Sequence, residues 1–200
     1  MKRFFLFCLT GLMMVSILAC GNQTNNQTNL TSESTDQTTA SNNIPDAVSL
    51  LTTVWNSYQE DEKFSVIGGD FSEENQNMNG PGKYSLEDGA ALDSALGFPA
   101  DSVTKIDDAA SLVHMMNANT FTCGAFHVAD SNDLTSITTS IKENILNRQW
   151  MCGFPDKLVI VSVDDYIVSM FGDTQLIDTF KQKLTTAYSS VEVICEEPIQ

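Results

Sequence analysis

The order of apolar patterns along the second half of the chain is the feature that most constrains its fold. From residue 102 onward, strand-like alternation and helix-like spacing follow one another as β-β-α-β-β-α. Residues 102 to 116 and 120 to 128 predict a hairpin that turns at Asn117-Ala118-Asn119, with a bulge or break within residues 107 to 111. The second hairpin is predicted from residues 157 to 163 and 166 to 171. Its strands are apolar at most positions, as expected of central strands covered on both faces.

Four helices are predicted from apolar residues at helical spacing. Two precede the hairpins: one covers residues 46 to 59, and the other runs from a capping box at Ser85 and Asp88 to Gly97. The helices after the two hairpins have predicted N-caps at Asp130 or Ser131 and at Asp173. A short strand is predicted over 191 to 195. We therefore predict an α+β domain, in which an antiparallel sheet of two hairpins packs against helices that include the N-terminal ones.

The N-terminus has the pattern of a lipoprotein signal. Lys2 and Arg3 precede an apolar run of about 15 residues, which is too short to span a bilayer core of roughly 30 Å but fits a signal peptide. Ile17-Leu18-Ala19-Cys20 resembles the lipobox of bacterial lipoproteins, in which the cysteine is acylated and becomes the first residue. We predict a signal peptide over residues 1 to 19, acylation of Cys20, and a domain held outside the cytoplasm at the bacterial cell membrane.

Composition changes sharply after Cys20. Residues 21 to 43 contain one Leu and no aromatic residue, so they cannot bury enough apolar surface to offset the entropy lost on ordering. We predict that residues 20 to 43 form a disordered polar tether and that residues 44 to 200 form one globular domain. This domain contains 24 acidic and 8 basic residues, a difference of −16. Such a charge argues against nucleic-acid binding, which needs a positive surface.

Three stretches resemble a known group of proteins. They are Trp55-Asn56-Ser57-Tyr58, the segment from Asp107 to Asn117, and Asn147-Arg148-Gln149-Trp150-Met151-Cys152-Gly153-Phe154-Pro155. They are similar to an uncharacterised family of small bacterial lipoproteins with a domain of unknown function, over most of residues 46 to 190. The resemblance implies lipoprotein status and an α+β domain, and it implies no activity. Some similar proteins carry the label bacteriocin transport accessory protein, which implies a redox Cys-x-x-Cys that this chain lacks.

Few residues have the spacing of a catalytic or metal site. Cys123 and Cys152 form a candidate disulfide, because the helix between them returns the chain towards the start of the strand that holds Cys123; two buried free thiols are the alternative. His114 and His127 are expected opposite Thr122 and Ala109, and thus not opposite each other. We predict no metal site and no cofactor, because no ligand spacing or nucleotide-binding motif occurs.

Two loops are candidates for binding. Residues 60 to 84 form a long connector that includes Asp70 and Phe71, and the first hairpin has Asn117 and Asn119 at its tip. Met115, Met116 and Met151 are expected to fill the core. We predict a non-catalytic binding or accessory module, attached to the membrane by its lipid, whose partner is an envelope protein, a peptide or a glycan. The alternative hypothesis is an exported hydrolase whose site is assembled only in three dimensions.

Overall fold

The computed structural model describes residues 44–151 and 153–199. The predicted signal peptide, the predicted acylation site at Cys20 and the predicted tether up to residue 43 lie outside the described residues, and so does Cys152. No helix in the two described ranges is both long enough and apolar enough to cross a membrane.

An antiparallel sheet of seven strands forms the centre of the domain, in the order β1-β3-β4-β6-β5-β7 with β2 also beside β3. The strands are β1 (Val66–Ile67), β2 (Gly82–Lys83), β3 (Ile106–His114), β4 (Phe121–Val128), β5 (Lys157–Val163), β6 (Tyr166–Gly172) and β7 (Val191–Pro198). Both predicted hairpins are present as β3–β4 and β5–β6, and β4 pairs with β6 to join them. The predicted α+β class is confirmed.

Helices cover both faces of this sheet. They are α1 (Ala47–Asn56), α2 (Gly89–Leu96), α3 (Leu134–Leu146) and α4 (Thr174–Ala187). Helices α1 and α4 pack on one face, where Phe121 and Cys123 point, whereas α2 and α3 pack on the other, where Phe126 and Phe171 point. Strands β5 and β6 are buried almost throughout, which confirms that they are central strands.

Three details differ from the sequence prediction. Helix α2 is capped by Asp88, whose Oδ1 accepts from the backbone N–H groups of Ala90 and Ala91, so Ser85 is not the cap. Strand β3 begins at Ile106, because residues 100 to 105 form a 3₁₀ helix. The final strand β7 is longer than predicted and extends to Pro198.

The register of the first hairpin is also one residue from the prediction. Val113 lies opposite Thr122, and His127 lies opposite Asp108 rather than Ala109. The predicted irregularity is present, as a register shift between Ile106 and Asp108. A turn centred half a residue earlier than Ala118 accounts for the difference, since antiparallel partners are fixed by the turn. The two histidines are not opposite each other, as predicted.

The described chain begins at one end of the sheet, and the turn between β3 and β4 lies at the other end. The backbone N–H of Ala47 donates to Asp108 Oδ2 over 2.7 Å, so the described chain starts beside the beginning of β3. Helix α1 then runs along β3, and residues 115 to 120 turn at the far end of that strand. A strand of nine residues spans about 30 Å. We call the end at residues 115 to 120 the distal end.

Candidate functional site

Two loops are joined at the distal end by one side chain. Asn119, in the turn between β3 and β4, donates both hydrogens of its amide group, to the carbonyl oxygens of Met151 and Gly153, each over 3.0 Å. Asn117 Oδ1 accepts from the backbone N–H of Asn119 over 3.0 Å and so orders the turn itself. The predicted binding residues Asn117 and Asn119 are therefore supports that hold the segment between α3 and β5 against the hairpin.

The side chains that these loops present are apolar and exposed. Four of the eight exposed large apolar side chains in the described residues lie on these loops: Met115 (39 %), Met116 (81 %), Met151 (79 %) and Phe154 (71 %). We call these four residues the distal surface. The prediction that Met115, Met116 and Met151 fill the core is wrong, since only Met170 among the described methionines is fully buried. Exposed apolar groups of this size in one region are typical of interaction sites.

Two cavities flank the distal surface. One, of about 380 Å³, is lined by Trp55, Phe64, Asn79 and Met115 together with neighbouring residues of the same loops. The Trp55 indole N–H donates to the carbonyl oxygen of Asn79 over 3.1 Å, which fixes the loop that carries Met78 beside this cavity. The other cavity, of about 160 Å³, is lined by Asn117, Asn119, Thr120, Gly153, Phe154, Asp156 and Asp173. Each cavity is of a size to accept one or two side chains of a partner.

The charges around the distal surface are mainly acidic. Asp156 and Asp173 accept hydrogen bonds from the backbone at the start of α4, and neither forms an ion pair with a basic residue of the described chain. Lys157, next to Asp156 in sequence, already pairs with Asp178 over 2.8 Å and with Glu196 over 2.7 Å. Three bases beside other cavities also have partners. Lys63 pairs with Glu60 and Lys183 with Glu62, both over 2.7 Å, and Arg148 pairs with Asp93 over 3.2 Å. The region therefore has unpaired negative charge and no unpaired lysine or arginine among these bases.

The second candidate loop is ordered around Asp70. Its carboxylate accepts from the Ser72 backbone and hydroxyl, from the Asn75 amide over 2.8 Å and from the Ser85 backbone over 3.0 Å. Partial desolvation raises the pKa of Asp70, and these hydrogen bonds outweigh it, so that the pKa falls to about 2. Ser111 of β3, which is buried, fixes the adjacent Gly69 by hydrogen bonds to its N–H and C=O. The long connector is thus an ordered loop.

Phe71 is the exposed residue of this loop. Its φ of 65° is in the left-handed region, which costs a bulky residue about 1–2 kcal/mol, and its side chain is 59 % exposed. The loop is bonded to the middle of β3 at Ser111, whereas Asn117 and Asn119 follow the end of that strand. The structure therefore does not bring Phe71 and the hairpin tip into one site.

The remaining candidate groups are distributed through the domain. Cys123 is completely buried on the face covered by α1 and α4, and it has no disulfide partner among the described residues. Burial raises the pKa of this thiol and disfavours the nucleophilic thiolate. The predicted bridge to Cys152 remains a prediction, because Cys152 lies outside the described residues. His127 pairs with Asp107 at the opposite end of the sheet from the turn at Asn117.

His114 supports the hairpin tip. Its Nδ1 accepts from the backbone N–H groups of Met116 and Asn117, over 3.2 and 3.3 Å, and its ring stacks on Phe64 with centroids 5.8 Å apart. The part of the chain that the structure describes contains no group of three or more His, Cys, Asp or Glu side chains arranged to hold a metal ion. His114 thus orders the backbone that presents Met116.

Comparison of the chain with protein-family models, with curated proteins and with solved structures finds no match. Sequence reasoning did not identify Met116, Met151 and Phe154 as surface residues. A signal was present, since Met116 precedes Asn117-Ala118-Asn119 and Phe154 lies between Gly153 and Pro155. Apolar residues inside turn-forming segments are poorly placed to reach a core.

Proposed function

We propose that this chain is a lipid-anchored surface protein whose globular domain is a non-catalytic binding module, and that the distal surface is where a partner binds. The proposal is carried by one observation. The distal surface lies at the end of the sheet opposite to the residues where the described chain begins. A lipid on Cys20 would attach the domain through the other end, so the distal surface would be free to meet an envelope partner.

The composition of the distal surface suits protein binding. Methionine has an unbranched, polarizable side chain that adapts to different apolar partners, and it is used for this purpose on protein-binding surfaces. Asn119 limits the flexibility of the two loops, which lowers the entropy lost on binding. An ordered backbone with adaptable side chains is consistent with recognition of an apolar segment of a protein or peptide.

Photocrosslinking in the native envelope tests the proposal. A benzophenone amino acid replaces Met116 in the full chain, and the same amino acid replaces Phe71 in a matched control, since both side chains are exposed and apolar. We expect a discrete adduct at position 116 that is absent at position 71 and is weakened by Asn119→Asp, which removes the two donated hydrogen bonds. No adduct at position 116, or the same adducts at both positions, would overturn the proposal.

A further inference from the structure

We infer that the distal surface recognises a cationic amphipathic segment of a partner protein, that is, a segment with an apolar face bordered by lysine or arginine. This inference rests on the proposed function and specifies the chemistry of the partner. It depends on the combination of the exposed apolar side chains with the charges that surround them.

The apolar part of the partner is specified by the exposed apolar side chains beside the two cavities. Met115 lines the cavity of about 380 Å³ with Trp55 and Phe64, and Phe154 lines the cavity of about 160 Å³. Met116 lies between Met115, which lines the larger cavity, and Asn117, which lines the smaller one, and is 81 % exposed. A partner segment lying over Met116 would meet Met115 and Phe154 with apolar side chains on one face. An amphipathic helix presents apolar side chains in this way, at positions three and four apart.

The cationic part is specified by unpaired carboxylates beside the apolar groups. Asp156 and Asp173 line the smaller cavity with Phe154, and each is exposed. Backbone hydrogen bonds from Thr174 to Asp156 and from Gln175 to Asp173 hold the two carboxylates in place. A lysine or arginine entering this cavity would complete an ion pair without displacing an existing one, because neither carboxylate pairs with a base of the described chain, and Lys157, next to Asp156 in sequence, already pairs with Asp178 and Glu196.

The charge of the whole chain favours a protein segment over a lipid surface as the partner. The chain carries a formal net charge of −16. An anionic bilayer would repel such a domain, whereas a cationic segment would be attracted over a Debye length of about 8 Å at physiological salt. Attraction at long range raises the association rate, and the apolar contacts then give the affinity.

Three synthetic helical peptides of equal length test this inference. One has a Leu face and Lys elsewhere, one has the same Leu face with Glu in place of Lys, and one keeps Lys but has Ser in place of Leu. The protein is the full chain in phosphatidylcholine vesicles with the benzophenone amino acid at position 116, and adducts are quantified by mass spectrometry. We expect at least tenfold more adduct with the Leu/Lys peptide than with either other peptide.

Control chains distinguish peptide binding at the distal surface from nonspecific electrostatic attraction to the acidic chain. With the benzophenone at position 71, which is exposed but lies on the Asp70 loop, we expect at least tenfold less adduct with the Leu/Lys peptide. Asn119→Asp in the chain labelled at position 116 is expected to lower the adduct, because it releases the carbonyls of Met151 and Gly153. Equal labelling at positions 71 and 116, or strong labelling by the Ser/Lys peptide, would overturn the inference.

The two proposals fail in different ways. If position 116 captures a discrete envelope protein but labels the Leu/Lys and Leu/Glu peptides equally, the surface binds a partner and the cationic chemistry is wrong. If position 116 labels only the vesicle lipid and captures nothing in the envelope, both proposals are wrong.

Discussion

At the scale of single residues, Asp70 is expected to link stability to pH. Its pKa is about 2 in the folded chain, below the ordinary value of 3.8. A depressed pKa contributes stability that is present above the unfolded value and is lost as the pH falls towards the folded value. The window is therefore about pH 4 to pH 2. We expect Asp70→Asn to lower the free energy of unfolding by about 1 kcal/mol at pH 6, after allowance for solvent screening.

Urea unfolding at several pH values measures this effect. The difference between the natural chain and Asp70→Asn should shrink as the pH falls from about 4 to about 2, because the carboxylate becomes protonated in both states. Glu73→Gln is the matched control, since Glu73 is an exposed acid of the same loop. A difference that stays constant down to pH 2 would show that the carboxylate charge has no role in the loop.

The second prediction at this scale concerns the thiol of Cys123. Complete burial on the α1 and α4 face leads us to expect that it does not react with a thiol reagent in the folded chain. Under denaturant, without prior reduction, Cys123, Cys152 and Cys195 should all react in a chain without a bridge. The control is the number of reactive thiols in the Cys123→Ala chain under the same conditions, because this chain cannot form the bridge. Reaction of Cys195 alone among these three thiols would instead support the predicted bridge between Cys123 and Cys152.

Sequence reasoning succeeded for single residues where local chemistry decides the structure. Asp173 was predicted as an N-cap because aspartate accepts hydrogen bonds from free backbone N–H groups, and its Oδ1 accepts from Gln175 and Leu176. It failed for Met115, because an apolar side chain at the end of a strand has no local signal that separates core from surface, and it missed the signal for Met116, which directly precedes the turn at Asn117-Ala118-Asn119. Whether the side chains of Met115 and Met116 are exposed depends on where β3 stops pairing with β4 and the chain turns.

At the scale of elements, mutations can test which residue caps the N-terminus of helix α2. Asp88 caps it through two hydrogen bonds of 3.0 Å, whereas the Ser85 hydroxyl accepts only from Glu87 over 3.3 Å. We expect Asp88→Ala to lower the free energy of unfolding by about 1 kcal/mol. Ser85→Ala should change it by less than about 0.5 kcal/mol. Thermal or urea unfolding of the two variants, side by side, measures both values, and a larger effect of Ser85→Ala would restore the predicted capping box.

The long strands and helices were predictable because each has enough residues to show a period. Strands β1 and β2 have two residues each, which is too few for any alternation, and they pair with β3 through contacts far along the chain. The placement of α1 and α2 on opposite faces was not predictable either. It depends on which side of the sheet the chain crosses, and the residues of one helix do not encode that choice.

At the scale of the whole molecule, both ends of the sheet carry acidic residues, and exposed apolar side chains distinguish the distal end. The end where the described chain begins is acidic, with Asp46, Asp107, Asp108 and Asp165 all close enough to raise the pKa of Tyr166, after the larger effect of its burial. The four apolar residues of the distal surface lie at the distal end. If the chain is tethered through the residues before 44, as proposed, this acidic region at the beginning of the described chain would be repelled by an anionic membrane surface, which would keep the domain away from the lipid.

The last prediction concerns the anchor. No helix of residues 44–151 and 153–199 is both long enough and apolar enough to cross a membrane. The Ile17-Leu18-Ala19-Cys20 pattern predicts that a lipid on Cys20 attaches the chain to the membrane. We expect the full chain, expressed in a bacterium, to fractionate with membranes and Cys20→Ala to lose this property.

Cys8→Ala is the matched control, because Cys8 belongs to the predicted signal peptide. Intact-mass analysis should find acyl chains on the natural chain and on Cys8→Ala. An unmodified Cys20, or a Cys20→Ala chain with unchanged membrane attachment, would contradict the prediction and would leave the distal surface as the region to examine for membrane contact.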